Sequence, residues 1–455
     1  MAYTEMNFGK DKISTLFRRL FFPTVFGMIF SVILVVTDGI FVGQGLGSDA
    51  LAAINIVAPL WLLCTGIALM FGMGGSILAS ISLSHGEDDE ARRTLSLSLF
   101  GSTLFVSLFS ALVMVFPDQS LHLLGCSDRL ISPAYDYMLG FIPFMATNSL
   151  LISGSFFVRL DGAPKYAMLC AVVASILNII LDYLFIFPLQ YGMFGAAIAT
   201  SSGSTVGTLF IVIYLLKKKH KLHFSKINFG NSARLARKLL KICTLGFPSL
   251  LGEMAISFLM LIGNFTFMHY VGEDGVAAFS ISCYFFPIIF MLNNAIAQSI
   301  QPIISFNYGL DNVKRVFSAA KIGLLTALGI NAAITLVTVF FSYEIASMFI
   351  SPESHTHAIT TSGLPLYAIG YVPFALNIIA ICYYQSIENS KMALWLTVAR
   401  GFILIGLCFW MLPILWGVNG IWLSAPAAEI TTSIIIALLL LPILIKSNSK
   451  RASTN

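Results

Sequence analysis

Charged side chains are the scarcest feature of this sequence. Lys, Arg, Asp and Glu make up 10% of its 455 residues, whereas 57% of the residues are hydrophobic and the mean hydropathy is +0.88. Soluble globular proteins carry about 25% charged and about 45–50% apolar residues. The shortage of charge therefore excludes a soluble domain and predicts a protein that crosses a membrane many times.

The motifs that nucleotide hydrolysis or covalent chemistry would need are absent as well. No GxxxxGK sequence occurs, so the chain carries no Walker A site. Its seven cysteines form no CxxC pair, which argues against a disulfide framework, and we expect no cofactor. The close pair His355 and His357 is interpreted as part of a solvated outer loop. No grouping of His, Cys and Ser lies within an apolar run, so an intramembrane enzyme is the least favoured function.

Apolar runs of about 20 residues are long enough to cross the hydrocarbon core as helices. Twelve such runs lie at 16–43, 51–83, 94–116, 134–158, 166–187, 192–216, 242–270, 275–306, 318–341, 358–386, 392–415 and 418–445. The sequence thus predicts an all-α integral membrane protein with twelve transmembrane helices. The first run has no small-residue cleavage site after a short apolar core, so we interpret it as a membrane helix and not as a signal peptide.

Lys and Arg predict the orientation of these helices. If the N-terminus is cytoplasmic, 25 of the 26 basic residues fall on the cytoplasmic side and only Arg129 lies outside. This distribution follows the positive-inside rule, so both termini are expected in the cytoplasm. The basic run KKKHK at 217–221 is then interpreted as part of a cytoplasmic loop, and no nucleic-acid partner is expected.

The chain also repeats itself. Residues 20–54 align without gaps on residues 245–279, with nine of the 35 positions identical, among them Pro23 with Pro248. Each half has six spans, an even number, so both halves enter the membrane in the same sense and form a parallel pseudo-twofold repeat of two six-helix bundles. The predicted domains are an N-lobe at 1–216, a basic cytoplasmic linker at 217–241, and a C-lobe with a cytoplasmic tail at 242–455.

Four polar residues lie within the spans of the N-lobe, where the C-lobe has Gly263, Ile403, Leu407 and Ala425 instead. They are Asp38, Asn178, Asp182 and Thr200. At a rise of about 1.5 Å per residue, all four fall roughly 7–12 Å below the outer surface. A common depth in one lobe predicts one site. Its oxygens could hold a cation such as Na⁺ or exchange a proton; the alternative is that Asp182 only braces neighbouring helices.

The C-lobe carries a different set of charges within its spans. Arg400 and Glu429 are expected at similar depth on adjacent helices, and we predict a structural ion pair because a buried charge needs a partner. Glu253 lies about half way through the seventh predicted span, 242–270. It is interpreted as a possible site for a cationic substrate or a proton.

Three motifs resemble the multidrug and toxic compound extrusion (MATE) family, and most closely its bacterial MepA-type branch. They are RLDGAPKYAM at 159–168, LNIILD at 177–182 and GMFGAAIAT at 192–200. The stretch TDGIFVGQGLGSDALAA at 37–53 is similar to the family's first helix and its outer turn. The resemblance covers essentially the whole chain.

The resemblance implies export of organic cations in antiport with H⁺ or Na⁺, by alternating access, from the cytoplasmic membrane of a bacterium. The family's N-lobe ion site matches Asp38, Asn178, Asp182 and Thr200. Some branches add an acid on their seventh transmembrane helix. Glu253 lies on the corresponding span, but its distance along the chain from Pro248 differs from that expected for the family's acid. The expected partners are small organic cations or drugs and membrane lipid, and the chain is expected to be monomeric. A flippase for lipid-linked oligosaccharides is the main alternative, although it would need more basic residues inside the spans.

Overall fold

The computed structural model describes residues 6–227, 230 and 232–452, and this part of the chain is helical, with no β-strand. Three of the 25 residues of the predicted linker, at 228, 229 and 231, lie outside the described residues. The helices, in chain order, are α1 (Ile13–Leu46), α2 (Ser48–Ser84), α3 (Asp88–Val115), α4 (Pro117–Leu123), α5 (Asp128–Phe141), α6 (Met145–Leu160), α7 (Pro164–Ile186), α8 (Gly192–Leu216), α9 (Ser232–Tyr270), α10 (Glu273–Gly309), α11 (Val313–Phe340), α12 (Ser342–Ser347), α13 (His355–Ala368), α14 (Tyr371–Ser386), α15 (Ser390–Val398) and α16 (Ile405–Ala452).

The predicted set of spans is confirmed. Ten described segments are long and apolar enough to cross a membrane, and α13 with α14 forms an eleventh that is bent by 42°. The last of the ten, Ser390–Leu439, contains 50 residues. At 1.5 Å per residue it would be about 75 Å long, more than twice the hydrocarbon core. Its helix is broken at Gly417, where φ is 55°, and the two predicted spans 392–415 and 418–445 meet at that break.

The fourth span of each repeat is broken, which the apolar runs did not predict. A 3₁₀ turn at Ile142–Phe144 separates α5 from α6, and a break after Ala368 separates α13 from α14. Each break falls in the repeated motif, GFIPF at 140–144 and GYVPF at 370–374. A proline lacks the N–H for the helical hydrogen bond and its ring clashes with the preceding turn, which explains the interruption at both places.

The chain divides into two compact units. Unit 1 comprises Met1–Met254, Gln298–Ala319 and Gln385–Ser390; unit 2 comprises Ala255–Ala297, Ala320–Tyr384 and Lys391–Asn455. Unit 1 therefore holds the first repeat together with parts of α9, α10 and α11 and the end of α14 from the second. Its core is aliphatic as well as aromatic, whereas the core of unit 2 is built on contacting rings that include Phe267, Phe279, Tyr367, Phe374 and Trp422.

Small residues bring the two repeats into close contact inside unit 1. Gly246 of α9 lies so close to the carbonyl of Met70 on α2 that a Cβ atom could not be accommodated. Further along α2, the Ser76 hydroxyl donates to Gln301 Oε1 at 3.1 Å and the Ser80 hydroxyl donates to the carbonyl of Pro302 at 3.2 Å. The two serine hydrogen bonds join α2 to α10, the second helix of each repeat, in the halves of these helices that lead to the basic residues.

The RLDGAPK motif anchors the linker. Asp161 follows α6 and accepts hydrogen bonds from the Tyr214 hydroxyl and from the backbone N–H of Leu222, both at 2.7 Å. Burial raises the pKa of Asp161 to about 6. Arg159 donates to Gln298 Oε1 at 2.8 Å, so this motif also contacts α10. This motif, one of those that resemble the MATE family in the sequence, thus braces α6 against the linker and α10.

Candidate ion-binding site

The polar face of α7 points into unit 1. Asn178 and Asp182 are 1% and 0% exposed, whereas apolar residues on the opposite face of the same helix, such as Ile176 and Ile180, are exposed. A spacing of four residues places the two polar side chains one turn apart on one face. That face packs against α1 and α8, the helices that carry Asp38 and Thr200.

Two glycines of α8 let α7 approach closely enough for these groups to meet. A Cβ atom on Gly203 would lie 2.5 Å from the carbonyl oxygen of Ala174 and 3.1 Å from Cβ of Asn178. One turn further, a Cβ on Gly207 would lie 3.0 Å from Cβ of Ala174. Small residues at an i, i+4 spacing are the usual means of close helix packing in a membrane. As a result, Asn178 Nδ2 donates to Thr200 Oγ1 at 3.0 Å.

Asp38 and Asp182 form the acidic part of the site. Their carboxyl groups are within hydrogen-bonding distance of each other. No donor among the described residues reaches Asp38 Oδ1, either carboxylate oxygen of Asp182, or the amide oxygen of Asn178. Two carboxylates in contact, with Asp38 partly buried and Asp182 fully buried, repel each other unless a positive charge compensates them. A proton shared between the acids would satisfy them, and so would a cation bound to the four free oxygens.

The four residues are thus brought together as a single cluster. Among the described residues no group of three or more His, Cys, Asp or Glu is arranged to hold a metal ion, so the cluster does not resemble a zinc or transition-metal site. Carboxylate, amide and hydroxyl oxygens are instead the ligands of hard cations.

Tyr137 is a neighbour of the cluster that sequence reasoning missed. It lies on α5, is 6% exposed, and is near enough to Asp38 and Asp182 to interact electrostatically with both. No sequence signal marked it, because a tyrosine in an apolar run looks like any other aromatic core residue.

Glu253 stands apart from this cluster. It lies on α9, is 8% exposed, and its carboxylate takes part in no hydrogen bond or ion pair with the residues that the structure describes. A carboxyl group in the interior of a membrane protein is costly for the fold. The structure gives it no contact with the four residues of the N-lobe site.

Arg400 and Glu429 meet inside unit 2. Arg400 Nε lies 3.3 Å from Glu429 Oε1, and the side chains are 5% and 7% exposed. Asn377 Nδ2 donates to Glu429 Oε2 at 2.6 Å, and the guanidinium lies 4.7 Å from the centre of the Phe374 ring. Arg400 is in the π-helical turn Ala399–Leu404, which widens the helix where this long side chain must turn inward.

These features are typical of one class of protein, membrane transporters built from two six-helix repeats. Within the part of the chain that the structure describes, the acidic cluster without hydrogen-bond donors lies in the first repeat. Comparison with known families agrees. The model of the MatE family matches the chain twice, over residues 23–184 and 248–410, once in each repeat.

Whole-chain comparisons extend over almost every residue. The multidrug export protein MepA of Staphylococcus aureus (strain MRSA252) is 22% identical over 432 residues, which is 93% of this chain and 92% of the relative. A structure described as the outward-facing conformation of a multidrug resistance MATE family transporter of the MOP superfamily superimposes with a TM-score of 0.89, at 22% identity over 99% of this chain and 100% of that one. A MOP superfamily transporter from Pyrococcus furiosus gives a TM-score of 0.88, at 22% identity over 96% of both chains.

The chain belongs to the MATE family, and it resembles the MepA-type transporters of that family. An intramembrane enzyme is thereby set aside, since the family consists of transporters. The fold class predicted from the sequence, twelve transmembrane helices in two bundles, is confirmed by the same structures.

Proposed function

We propose that this protein is a multidrug efflux transporter that exports organic cations in antiport with H⁺ or Na⁺. The observation that carries the proposal is the contact between the partly buried Asp38 and the buried Asp182. Asp38 Oδ1 and both carboxylate oxygens of Asp182 receive no hydrogen bond from the described residues. The relatives named as multidrug export proteins support the substrate class. Organic cations are proposed as the substrates because acids inside the membrane spans favour positively charged ligands.

The coupling follows from the difference between the loaded and empty site. With a proton or Na⁺ bound, the carboxylates of α1 and α7 attract the same charge and the helices stay together. Without it, the two acids repel each other and favour a different packing of α1 against α7. An ion that binds one arrangement more tightly than the other shifts the population between them. Alternating access in transporters with repeats is a rocking of one repeat against the other, which such a change in α1 can bias.

Replacing each acid by its amide tests this role. Asp38→Asn and Asp182→Asn preserve shape but can neither carry nor release a proton, and each removes one charge from a cation site. We expect both variants to reach the membrane in normal amount and to lose gradient-driven export of a fluorescent organic cation in inside-out vesicles. Asn178→Ala and Thr200→Ala leave the acids in place, so we expect reduced export that recovers at a steeper gradient.

The control is Asp118→Asn, which changes an exposed acid of α4 in the same way. Collapsing the pH gradient and the sodium gradient separately identifies the coupling ion. If either Asp variant of the site exported at the wild-type rate under both gradients, the coupling role of that residue would be wrong. The bracing alternative would then account for it.

The flippase alternative is less compatible with the charges of the described residues. A lipid-linked pyrophosphate needs cations to meet it. The two arginines buried in unit 1 and unit 2 are each engaged: Arg159 with Gln298, and Arg400 with Glu429. Reconstituted protein that moved a lipid-linked oligosaccharide, but no organic cation, would reverse this preference.

The same proposal gives the chain a multi-pass position in the cytoplasmic membrane of a bacterium, with both termini in the cytoplasm. It also keeps the N-lobe, the basic linker and the C-lobe as the functional division of the chain, and a monomer as the working unit. Glu253 is proposed as a second cation or proton position.

A further inference from the structure

The segment that precedes α1, Met6–Lys12, folds into a compact turn. The Asn7 side-chain oxygen accepts hydrogen bonds from the backbone N–H groups of Gly9 and Lys10, both at 3.1 Å. In the other direction, the Asn7 N–H donates to Asp11 Oδ2 at 3.1 Å. Asn and Asp are suited to such local closure because their short side chains reach the adjacent backbone. The segment is therefore an ordered element of the fold.

Two side chains of the second repeat hold this turn. Arg315 Nη2 donates to the carbonyl oxygens of Phe8 and Asp11 at 2.8 and 2.7 Å. Asn307 Nδ2 donates to the same Phe8 carbonyl at 3.0 Å. Arg315 Nε also donates to Asn307 Oδ1 at 2.8 Å, which fixes the two residues relative to each other. The turn is thus bound by charge-assisted hydrogen bonds to the junction of α10 and α11.

Apolar contacts reinforce this binding. The Phe8 ring is 5% exposed and lies 5.8 Å from the ring of Phe306, measured between centroids. A Cβ on Gly9 would lie 3.1 Å from Leu310 Cδ1. On the other side of the turn, Met6 lies close to Gly162, at the end of α6 in the first repeat. The segment therefore contacts both repeats within unit 1.

The connection between this segment and α1 is very short. Arg315 holds the carbonyl of Asp11, and α1 begins at Ile13, so Lys12 alone separates the held residue from the helix. Any motion that carries the start of α1 away from α11 must break the hydrogen bonds of Arg315. Because α1 also bears Asp38, the turn and the ion site lie on one continuous helix.

We propose that Met6–Lys12 is a latch that holds the two repeats together at the start of α1, next to the junction of α10 and α11. The latch must release Arg315 and Asn307 before the repeats can separate at this end of unit 1. The inference goes beyond the proposed function, because it concerns which step limits opening and not what is transported. The proposal predicts that weakening the latch exposes the neighbouring contacts between α2 and α10. One of these is the hydrogen bond from the Ser80 hydroxyl to the Pro302 carbonyl.

The first experiment measures opening directly, without transport. The S80C variant is made in a background that lacks the seven native cysteines, and its reaction with a water-soluble maleimide is followed in nanodiscs. Ser80 is 0% exposed, so labelling reports opening of this end. Arg315→Ala should raise the labelling rate about tenfold or more, because a tenfold change in population corresponds to about 1.4 kcal/mol and two charge-assisted hydrogen bonds are lost.

Lys314→Ala is the matched control. It removes the same charge from the neighbouring position, and Lys314 is exposed. Equal labelling rates in the two variants would overturn the proposal. Should Arg315→Ala not fold, Asn7→Ala removes the closure of the turn while leaving Arg315 in place. It should raise the labelling rate in the same direction, and an unchanged rate would count equally against the latch.

The second experiment asks whether release is required. Gly9→Cys with Leu310→Cys places two thiols where the glycine and leucine are in contact. The oxidised protein should export no fluorescent cation, and reduction should restore export. Export at the same rate with the disulfide intact would show that the segment never needs to leave α10, and would refute the latch. Failure of the proposed transport function would leave the labelling result intact, so the two hypotheses fail separately.

Discussion

The ion pair of unit 2 allows a quantitative test of which charges serve the fold. Arg400 and Glu429 are almost fully buried, with 5% and 7% of their side chains exposed, so solvent screens their interaction very little. Removing one partner of a buried pair typically costs about 3–5 kcal/mol, because the remaining charge is left in a poorly polar interior. We expect Arg400→Ala and Glu429→Ala both to reduce stability on this scale.

The two single substitutions should not be equal. After Arg400→Ala, Glu429 still accepts a hydrogen bond from Asn377 at 2.6 Å, so its charge retains one partner. After Glu429→Ala, Arg400 keeps only the ring of Phe374, since its Nε and Nη1 donate no hydrogen bond to any described residue. Glu429→Ala should therefore fall at the upper end of the range of about 3–5 kcal/mol and Arg400→Ala at the lower end.

The double variant, Arg400→Ala with Glu429→Ala, completes a double-mutant cycle. With both charges gone, the cost should be lower than the sum of the single costs by about 1–3 kcal/mol. Thermal unfolding in detergent measures this, since about 1 kcal/mol shifts Tm by about 2–4 °C for a unit of 150–250 residues. Lys391→Ala, at an exposed cation on α15, is the control and should leave Tm unchanged within error. Additive losses in the double variant would show that the pair is not energetically coupled.

Two further tests, each with its own control, address the packing of α8 and the orientation of the chain. Gly203→Ala should destabilise the first repeat by about 1–3 kcal/mol, as overpacking does, and weaken ion-coupled export by separating Asn178 from Thr200. Gly329→Ala on α11, where a Cβ would meet nothing within 4 Å, should be neutral in the same thermal and export assays. Cysteine introduced at Ser351 should react with impermeant maleimide on intact cells, whereas cysteine at Lys226 should not; the reverse pattern would contradict the proposed topology.

The long elements of this fold could be predicted from the sequence because the bilayer fixes their length. A run of about 20 apolar residues has few alternatives to a helix in lipid. The breaks within helices were harder to predict. Pro143 and Pro373 lie in apolar runs and leave mean hydropathy almost unchanged, yet each interrupts a span or begins its second half. Hydropathy reports length well and backbone geometry poorly.

The candidate site was accessible to sequence reasoning only in part. Asp38 and Asp182 stand out because carboxylates are rare within apolar spans, and their contact follows from common depth. Asn377 and Tyr137 could not be recognised, because a single amide or tyrosine in a long span has many possible neighbours. The latch residues Asn7 and Arg315 are 308 positions apart, and nothing in the pattern of either segment indicates that they belong together.

The comparison between repeats separates the charges that support the fold from those available for function. At the position of Asp38 the second repeat has Gly263, and the ring of Phe279 fills the space that a side chain there would need. The same six-helix fold is therefore stable with an aromatic ring in place of the acid. In unit 2 the buried charges are matched: Arg400 faces Glu429, and Asn377 completes the shell of the carboxylate. In unit 1 the acids face each other without a cation among the described residues, a costly arrangement for stability alone. Under the proposed ion coupling, a proton or cation that binds between the two acids offsets this cost while it is bound, and its release restores the repulsion.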